Sequence, residues 1–421
     1  MRKVLFITYF WPPSGKASLH WPLKIIRYLP DNNWKPLVLT VDEETFTQKD
    51  ESLLKEIPPK LKICKAKSFE PFNIYRKLIG KQREEPLVAS ETISLENNNV
   101  LHRISIWIRM NLFIPDARIG WYPSAVKEGR KIITHDKPDA IITIGPPHST
   151  HLVGLKLSKE FQIAHIPVLI DPWVDIIYYK DFKRNYITRS IDNYLEKRVL
   201  DNSFKTVFVT KSTREDFIKK YPSLKTKSEV LYWGYDEEAF SNLKSYTNPE
   251  SEVIVHAGNI FDYQNPELLW KNIKALISKG RRIKIKFIGT VSPGVKSSIK
   301  NYGLEPYTEF AGFLSYTEMI DELLKASYLL VCATEKRHVP GKLFEYLRAG
   351  KPIIAFGEEN DEVKEILRLS NAGMMFGYSQ DTSEFWESLD SFKTNFEFIK
   401  KFDRRRITHK LSLILDSIQS H

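Results

Sequence analysis

The densest group of potentially reactive side chains lies in the segment EKRHVPGKLFEYLRAGKP, residues 335–352. Proline and glycine near its middle predict the start of a helix, and Lys342 and Glu345, three residues apart, share the first turn. Cations and free N–H groups at such a start suit a diphosphate, and the Glu345 carboxylate would accept hydrogen bonds from ribose hydroxyls. A surface helix with an ordinary i,i+3 ion pair is the alternative, but the position after a predicted strand favours ligand binding.

Two loops in the first half of the chain also follow apolar runs. Residues 12–18 contain Gly15 and Lys16, where N–H groups and the lysine could face a phosphate or a sugar hydroxyl. This loop lacks the GxGxxG spacing of a dinucleotide-binding turn, and a tight turn without a ligand is an equal alternative. Asp171 ends a buried run, so we expect it to face a ligand, although it could instead cap a turn.

Three more loops follow predicted strands. In the loop GPPHSTH, His148 or His151 could touch a substrate, although a single loop histidine is more often structural or solvated. Gly258 and Asn259 follow one strand of the second half, and Gly289 follows the next. Glycine permits close approach of a ligand to the backbone at such positions, and a plain turn is the alternative.

Apolar runs alternate with helical patterns along nearly the whole chain, which indicates βαβ units and parallel sheets. The predicted strands lie at residues 4–8, 37–41, 63 onward, 140–143, 167–170, 206–209 and 230–232 before a polar linker at 243–252, and at 253–256, 283–288, 329–332 and 352–356 after it. We therefore predict an α/β protein with two doubly wound sheets, whose ligands bind at the carboxyl ends of the strands in a cleft between domains.

The composition excludes several classes of protein. A chain of 421 residues that is 42% hydrophobic and 27% charged is typical of two or three folded domains, not of a disordered protein. Two cysteines, Cys64 and Cys332, exclude a disulfide framework and a cysteine-based zinc site, and we expect both in the core. No apolar run approaches the roughly 20 residues of a membrane span. The N-terminus predicts a strand in preference to a signal peptide, so we expect a cytoplasmic protein.

The formal net charge of +11 favours anionic partners. Phosphorylated small molecules and an anionic membrane surface fit better than nucleic acid, because the sequence has no zinc finger, no RNP-type aromatic motif and no long basic tail. Residues 102–114 mix aromatic side chains with arginines, so this segment could lie in a lipid headgroup layer. A helix packed against the first sheet is an equal alternative.

The chain resembles a family 4 glycosyltransferase of the GT-B fold through the order and spacing of YFWPPSGKAS, IPDARIGW, TIGPPHSTHLVG, LIDPWVD, VFVTKSTREDF, WGYDEEAF, HAGNIF, KFIGT and PGKLFEYLRAGKPIIAF. The likeness covers nearly the whole chain and is closest to the branch found in bacterial capsule, exopolysaccharide and lipopolysaccharide gene clusters. It implies two Rossmann-like domains facing a cleft. The acceptor domain would span residues 1–245 with a C-terminal crossover helix at 400–421, and the nucleotide-sugar domain 250–398.

The resemblance also carries over residues of the donor site, with departures. Glu345 matches the family's second glutamate, which contacts the ribose, whereas Arg337 stands where the first glutamate would be. Asn259 and Gln264 replace a basic pair that often holds the diphosphate, and Ile170 replaces a histidine or arginine. Because the leaving diphosphate needs positive charge, a variant site with other cations is the preferred interpretation.

These positions give the predicted site. The donor-binding residues would be Lys342, Glu345, Gly258, Asn259, Gly289, Gly341 and Leu343; the catalytic candidates are Asp171, His148 and Arg337; Gly15 and Lys16 would line the cleft. Lys342 would hold the diphosphate with help from Arg337 or Lys16. The C-terminal Arg404, Arg405 and Arg406 are expected on a solvated face.

The resemblance implies transfer of a sugar, with retention and without a metal ion or cofactor, from a nucleotide-sugar substrate to a saccharide acceptor. The acceptor would be lipid-linked, which would bring a cytoplasmic enzyme to the inner face of the cell membrane. Two alternatives stay open: a nucleotide-sugar epimerase of the same fold, and a degenerate transferase that only binds a sugar nucleotide or scaffolds a biosynthetic complex. No nucleic-acid partner is expected.

Overall fold

A computed structural model of the chain describes residues 1–46, 49–68, 100–176, 184–241 and 251–418. These residues divide into two compact units. Unit 1 comprises residues 1–209, 213–231 and 408–421, and unit 2 comprises residues 210–212 and 232–407.

Unit 1 is built on a parallel sheet in the order β3-β2-β1-β4-β5-β6-β7. Its strands are β1 (Arg2–Thr8), β2 (Trp34–Val41), β3 (Lys62–Ala66), β4 (Ala140–Gly145), β5 (Ala164–Leu169), β6 (Thr206–Phe208) and β7 (Ser228–Val230). The central strands β1 and β4 are buried on both faces, which explains why they read as continuous apolar runs.

In the described part of unit 1, seven helices accompany this sheet: α1 (His20–Tyr28), α2 (Val100–Leu112), α3 (Tyr122–Asp136), α4 (Ser149–Phe161), α5 (Tyr186–Asp201), α6 (Lys211–Lys220) and α7 (Leu224–Lys227). Helices α3 and α4 bury Ile132, Ile133 and Leu157 in one core with β1, β2 and β4. The first two residues of α6 belong to unit 2, because the buried Glu362 carboxylate accepts hydrogen bonds from their N–H groups.

Unit 2 is built on a second parallel sheet in the order β10-β9-β8-β11-β12-β13. Its strands are β8 (Glu252–Ala257), β9 (Ile283–Ile288), β10 (Thr308–Gly312), β11 (Tyr328–Cys332), β12 (Ile353–Phe356) and β13 (Gly373–Phe376). Alternate residues of β11 enter two different cores: Leu329 and Val331 one, Leu330 and Cys332 the other. The sheet is therefore covered by apolar side chains on both faces.

The helices of unit 2 are α8 (Glu238–Ser241), α9 (Glu267–Ser278), α10 (Pro293–Asn301), α11 (Tyr316–Lys325), α12 (Lys342–Ala349), α13 (Asp361–Ser370), α14 (Ser383–Glu387), α15 (Phe396–Ile399) and the start of α16 (Arg404–Asp416). The rest of α16 belongs to unit 1, where Trp34 Nε1 donates a hydrogen bond of 2.8 Å to the Asp416 carboxylate.

Most of the predicted linker, residues 243–250, lies outside the described residues. The segment just before it belongs to unit 2, because Tyr235 and Phe240 pack into a core of that unit. Both cysteines lie on strands, with Cys332 buried and Cys64 partly exposed. In the part of the chain that the structure describes, no helix is both long and apolar enough to span a bilayer.

Candidate functional site

In unit 2, two glycines bring the loops after β8 and β9 together. Gly258 and Gly289 have φ angles of +133° and +116°, which favour glycine, and a Cβ at Gly289 would lie 2.5 Å from the Gly258 carbonyl oxygen. The Gly258 N–H donates to the Ile288 carbonyl at 2.7 Å. The Asn259 side chain is engaged in the same turn, where its Oδ1 accepts the Thr290 N–H at 3.2 Å. Both glycines therefore have a structural reason to be there.

Helix α12 begins beside these loops. Tyr346 of this helix accepts the Ala257 N–H through its hydroxyl at 2.7 Å, which fixes the helix against the end of β8. Burial lowers the pKa of His256, and the nearby charge of Lys342 adds a smaller lowering effect. The first turn of α12 and the end of β8 therefore share one region of unit 2.

Lys342 is a partly buried cation, and no carboxylate among the described residues forms an ion pair with it. Its Nζ lies 2.9 Å from the Met319 sulfur. Burial lowers the pKa of the Lys342 ammonium, and the Arg404 charge lowers it further, while Glu345 acts in the opposite direction. The ordinary Lys342–Glu345 ion pair considered above is not formed, because Glu345 is paired elsewhere. A buried ammonium in this state is suited to an anionic ligand.

Glu345 is held through only one of its carboxylate oxygens. Its Oε1 accepts hydrogen bonds from Arg404 Nη2 at 3.0 Å and from the Tyr316 hydroxyl at 3.3 Å. Its Oε2 is buried and has no hydrogen-bond partner. A buried oxygen without a partner is costly, so this position is suited to a hydroxyl donor from a ligand.

The prediction that the C-terminal arginines form a solvated face is wrong for Arg404. This side chain is buried against the Glu345 carboxylate, which needs a cation in the interior. Arg405 and Arg406 are exposed, as predicted, and Arg405 forms an ion pair with Glu238.

The loop before α12 offers a ligand less positive charge than its sequence indicates. Arg337 donates to both carboxylate oxygens of Glu335, with Nε–Oε1 at 3.2 Å and Nη2–Oε2 at 3.0 Å. Asn360 holds the loop by donating to the carbonyls of Glu335 and His338. Lys336 is exposed. A carboxylate is therefore present in this loop on Glu335, two residues before the position where the resemblance places one, and it already neutralises the predicted catalytic cation.

Gln264 and Leu343 have structural roles in unit 2, and Gly341 does not. Gln264 is buried and donates to the Cys332 carbonyl at 3.1 Å, so it bridges two strand ends. The Leu343 side chain is fully buried, and its N–H donates to the Pro340 carbonyl at 3.0 Å. At Gly341, by contrast, an added Cβ would make only ordinary contact with Trp233, at 3.7 Å.

In unit 1, the predicted residues lie at the carboxyl ends of the neighbouring strands β1, β4 and β5. Lys16 is partly buried, and burial together with the charges of Arg118 and Arg109 lowers its pKa. Gly15, beside it, is exposed. Lys16 therefore lies in a cluster of three cations. Nothing in the sequence indicated that Arg109 and Arg118 lie near this loop.

His148 is a buried ring that stacks on Trp173, with ring centroids 5.0 Å apart. Burial lowers the pKa of His148 to about 3, so it is neutral at physiological pH and a weak proton acceptor. Next to it, Thr143 Oγ1 lies 2.7 Å from His151 Nδ1 and 2.8 Å from His165 Nε2. The predicted catalytic histidine is thus part of a packed cluster.

The loop that carries Asp171 is anchored by two buried acids of α5. Trp173 Nε1 donates to Asp192 at 2.7 Å, and the Val174 N–H donates to Glu196 at 3.1 Å. Asp171 itself is partly exposed. These contacts fix the loop, while the predicted role of Asp171 stays a prediction.

Four side chains of these sites were not predicted: Glu335, Tyr316, Arg404 and Asp116. Asp116 accepts the N–H and hydroxyl of Ser149 at 2.8 and 3.0 Å, and so caps α4. Only Glu335 had a local signal, because it stands at the start of the reactive segment. Among the described residues, no group of three acidic, histidine or cysteine side chains could hold a metal ion.

Residues 238–406 match the family pattern described as Glycosyl transferases group 1. This part of the chain is similar to a glycosyltransferase domain. The prediction of an enzyme of the glycosyltransferase class is thereby confirmed. The match covers most of unit 2, including the whole of α12. No curated protein matches the sequence.

Solved structures resemble the chain over its whole length. Sucrose-phosphate synthase from Thermosynechococcus elongatus has a TM-score of 0.65 and 12% identity, covering 99% of each chain. Anabaena Alr3699/HepE, solved with UDP and glucose, has a TM-score of 0.60 and 14% identity, covering 99% of this chain and 100% of its own. A UDP-N-acetylglucosamine 2-epimerase has a TM-score of 0.55 and 11% identity, covering 100% and 98%. The predicted GT-B fold is confirmed, and at these identities the likeness speaks to the fold alone.

Proposed function

We propose that this glycosyltransferase binds a nucleotide-sugar donor in unit 2, on the first turn of α12, and transfers the sugar to a saccharide acceptor. The observation that carries this proposal is a pair of neighbouring groups. Lys342 is a partly buried cation without an ion pair among the described residues, and Glu345 offers a buried oxygen without a partner. A nucleoside diphosphate supplies the two missing partners, a negative charge and a hydroxyl donor.

Lys342 would act on the diphosphate. As the bond from the sugar to the phosphate breaks, negative charge grows on the leaving diphosphate, and a cation already in place stabilises that charge. The ligand's charge would also favour the protonated form of a lysine whose pKa burial lowers. Arg337 is less suited to this role, because Glu335 already neutralises it.

Glu345 would bind the ribose through Oε2, since Arg404 and Tyr316 occupy its other oxygen. A site that needs a hydroxyl donor discriminates against a ligand without one, because the carboxylate oxygen is then left unpaired. We propose a uridine diphosphate donor as the first candidate, because the HepE structure of the same fold was solved with UDP and glucose.

We further propose that the transfer proceeds with retention and without a metal ion, to a lipid-linked saccharide of a bacterial cell-surface polysaccharide. This part rests on the resemblance to the capsule and lipopolysaccharide branch. The net charge of +11 supports it, because lipid-linked acceptors lie at membranes that attract a basic protein.

The test is a nucleotide panel on the full chain. UDP, GDP, dTDP and their sugars would be titrated calorimetrically against the wild type, Lys342→Met, Glu345→Gln and Lys336→Ala. Methionine keeps the length of Lys342 beside Met319 but removes its charge, and the exposed Lys336 gives a charge-matched control from the adjoining loop. We expect one nucleotide series to bind wild type and control alike, and sugar transfer to fall about 100-fold in Lys342→Met.

Three results would contradict the proposal in different ways. Equal binding by all four proteins would move the donor away from α12. An epimerised sugar nucleotide as the product would identify the alternative reaction of this fold. Tight binding without transfer or donor hydrolysis would indicate a protein that only binds sugar nucleotides.

A further inference from the structure

The strand order of unit 1 changes direction between β1 and β4. Strand β1 pairs with β2 on one side and with β4 on the other, and the chain first builds outward through β2 and β3 before it returns to β4. In open parallel sheets, ligands bind at such a point, outside the carboxyl ends of the strands. The topology therefore marks a ligand-binding position within unit 1 itself.

Three cations gather at this position. Burial lowers the pKa of the Lys16 ammonium, and the charges of Arg118 and Arg109 lower it further. Arg118 lies over the ring of Tyr9, which directly follows β1, with its guanidinium carbon 5.3 Å from the ring centroid. No carboxylate among the described residues forms an ion pair with Lys16. Because like charges repel, the cluster is costly until an anion joins it.

The acid beside the cluster is occupied by backbone and hydroxyl donors. Asp116 accepts the Arg118 N–H at 2.9 Å, and it also accepts the N–H and the hydroxyl of Ser149 at the start of α4. Burial raises the pKa of Asp116, so this carboxyl holds its negative charge less readily than an exposed one. Asp116 therefore fixes the Arg118 segment near the end of β4 and leaves three cations against one committed acid.

The loop after β1 adds aromatic surface and a donor without an acceptor. Phe10 is partly exposed, and its ring centroid lies 5.1 Å from that of Tyr9 and 6.3 Å from that of Phe46. Trp11 is buried, and its indole Nε1 has no hydrogen-bond partner. A buried N–H without an acceptor and a cation without an anion both call for a ligand that carries acceptor oxygens.

We propose that Lys16, Arg109 and Arg118 bind an acidic group of the acceptor, so that the substrate of this enzyme is an anionic saccharide. The inference rests on the proposed function, which supplies the acceptor, and it adds the acceptor's charge. The acidic group is a carboxylate or phosphate of the saccharide, or the diphosphate of its lipid carrier. Each of these groups offers two oxygens to the planar fork of an arginine.

The test is a calorimetric titration of the full chain with four probes. Glucuronate carries a carboxylate, galactose 1-phosphate carries a phosphate monoester, inorganic pyrophosphate represents the diphosphate of a lipid carrier, and methyl glucoside is neutral. The proteins are the wild type, Lys16→Met, Lys16→Arg, Arg109→Gln and Lys127→Met. Lys127 is an exposed lysine on α3 in unit 1, so its replacement is a charge-matched control.

We expect at least one anionic probe to bind the wild type and the neutral glucoside not to bind. Lys16→Met and Arg109→Gln should each weaken binding about tenfold, because each removes a charge-assisted contact. Lys16→Arg keeps the charge, so it should stay within about threefold of the wild type, as should the control. The probe that binds identifies which of the three acidic groups the site prefers. Binding should also weaken when the salt concentration rises from about 0.1 M to about 1 M.

Three results would overturn the anionic-acceptor proposal. The first is that no anionic probe binds the wild type, and the second is that the neutral glucoside binds as tightly as the anions. The third is a loss of anion binding in Lys342→Met but not in Lys16→Met, which would place the anion on α12. Nucleotide titration of the same proteins separates the two proposals. Intact nucleotide binding without anion binding overturns this inference alone, whereas absence of nucleotide binding by the wild type overturns the proposed function.

Discussion

The strand ends of the two units both collect polar side chains, but they use them differently. In unit 1, the histidines around Thr143 are buried and neutral, and Asp192 and Glu196 are paired with cations inside the unit. In unit 2, Lys342 has no ion pair among the described residues, and Glu345 has a buried oxygen without a partner. The difference is one of charge. Ring nitrogens of His148, His151 and His165 are also buried without a hydrogen-bond partner, but these rings are neutral, whereas the unsatisfied groups of unit 2 are a cation and a carboxylate oxygen.

This difference shows how to separate structural from binding residues when both follow strands. A buried polar group that is satisfied internally contributes about 0.5–1.5 kcal/mol per hydrogen bond to stability. A buried charged group left without a partner costs more than a neutral one, so at a strand end it indicates an external partner more strongly than the neutral ring nitrogens of unit 1 do. By this criterion the proposed donor site of unit 2 is better supported than the histidine cluster of unit 1.

The largest expected effect comes from breaking the ion pair that holds Glu345. Arg404→Ala leaves a buried carboxylate without its cation, and we expect a loss of about 3–5 kcal/mol in the stability of unit 2. Hydrogen exchange of peptides from β8 and β11 would measure this loss separately from unit 1. Arg404→Lys keeps the charge and should restore part of the stability. A loss in unit 2 below about 1 kcal/mol would mean that Arg404 does not hold Glu345.

The second effect concerns unit 1 and is caused by pH. Burial lowers the pKa of His148 and of His165 to about 3, against about 6.5 in an unfolded chain. As the pH falls below 6.5, the unfolded chain takes up protons that the folded unit does not, so stability falls. The linkage relation gives about 2 kcal/mol per histidine between pH 6.5 and pH 5. Hydrogen exchange in β4 and β5, corrected for intrinsic rates, measures the slope.

A variant isolates the histidine contribution from the carboxyl groups. Burial raises the pKa of Asp116 and Glu196, which changes stability in the opposite direction as the pH falls. The carboxyl groups contribute equally to the wild type and to His165→Gln. The difference between the two proteins in the slope of stability against pH therefore gives the contribution of His165 alone. Unit 2 contains His256 and His338, whose pKa values burial also lowers. We therefore expect the stability of unit 2 to fall with decreasing pH as well, but less steeply than that of unit 1. Equal slopes in both units would contradict the comparison.

Much of the fold could be predicted from the sequence, because central parallel strands are buried on both faces and appear as apolar runs. Two strands of unit 2 were missed. Strand β10 (Thr308–Gly312) is mostly exposed, and β13 (Gly373–Phe376) is only partly buried. Both are edge strands, which pair on one side only and need no continuous apolar run. In unit 2 the apolar runs therefore indicated the four central strands and missed both edges, whereas the edge strands β3 and β7 of unit 1 did carry short apolar runs that were predicted.

The site divides along similar lines. Local spacing placed Lys342 and Glu345 on one helix turn, and their role in donor binding stays a prediction. Arg404 lies 59 residues beyond its partner Glu345, and no local pattern connects them. The role of Arg337 was missed because a sequence shows charges but not their pairing. Pairing is a property of the fold, so it decides which of several cations is left for a ligand.

The smallest expected effect sharpens the assignment of the two Glu345 oxygens. Tyr316→Phe removes a long hydrogen bond of 3.3 Å to Oε1, while the 3.0 Å bond from Arg404 to the same oxygen remains. We expect a loss of about 0.5–1 kcal/mol in the stability of unit 2. Donor affinity should change by less than about threefold, because Oε2 is untouched. Calorimetric titration of the preferred nucleotide against Tyr316→Phe and Glu345→Gln measures the donor affinity of each variant. If Tyr316→Phe lost as much donor affinity as Glu345→Gln, the ligand hydroxyl would lie on Oε1 and the assignment would be reversed.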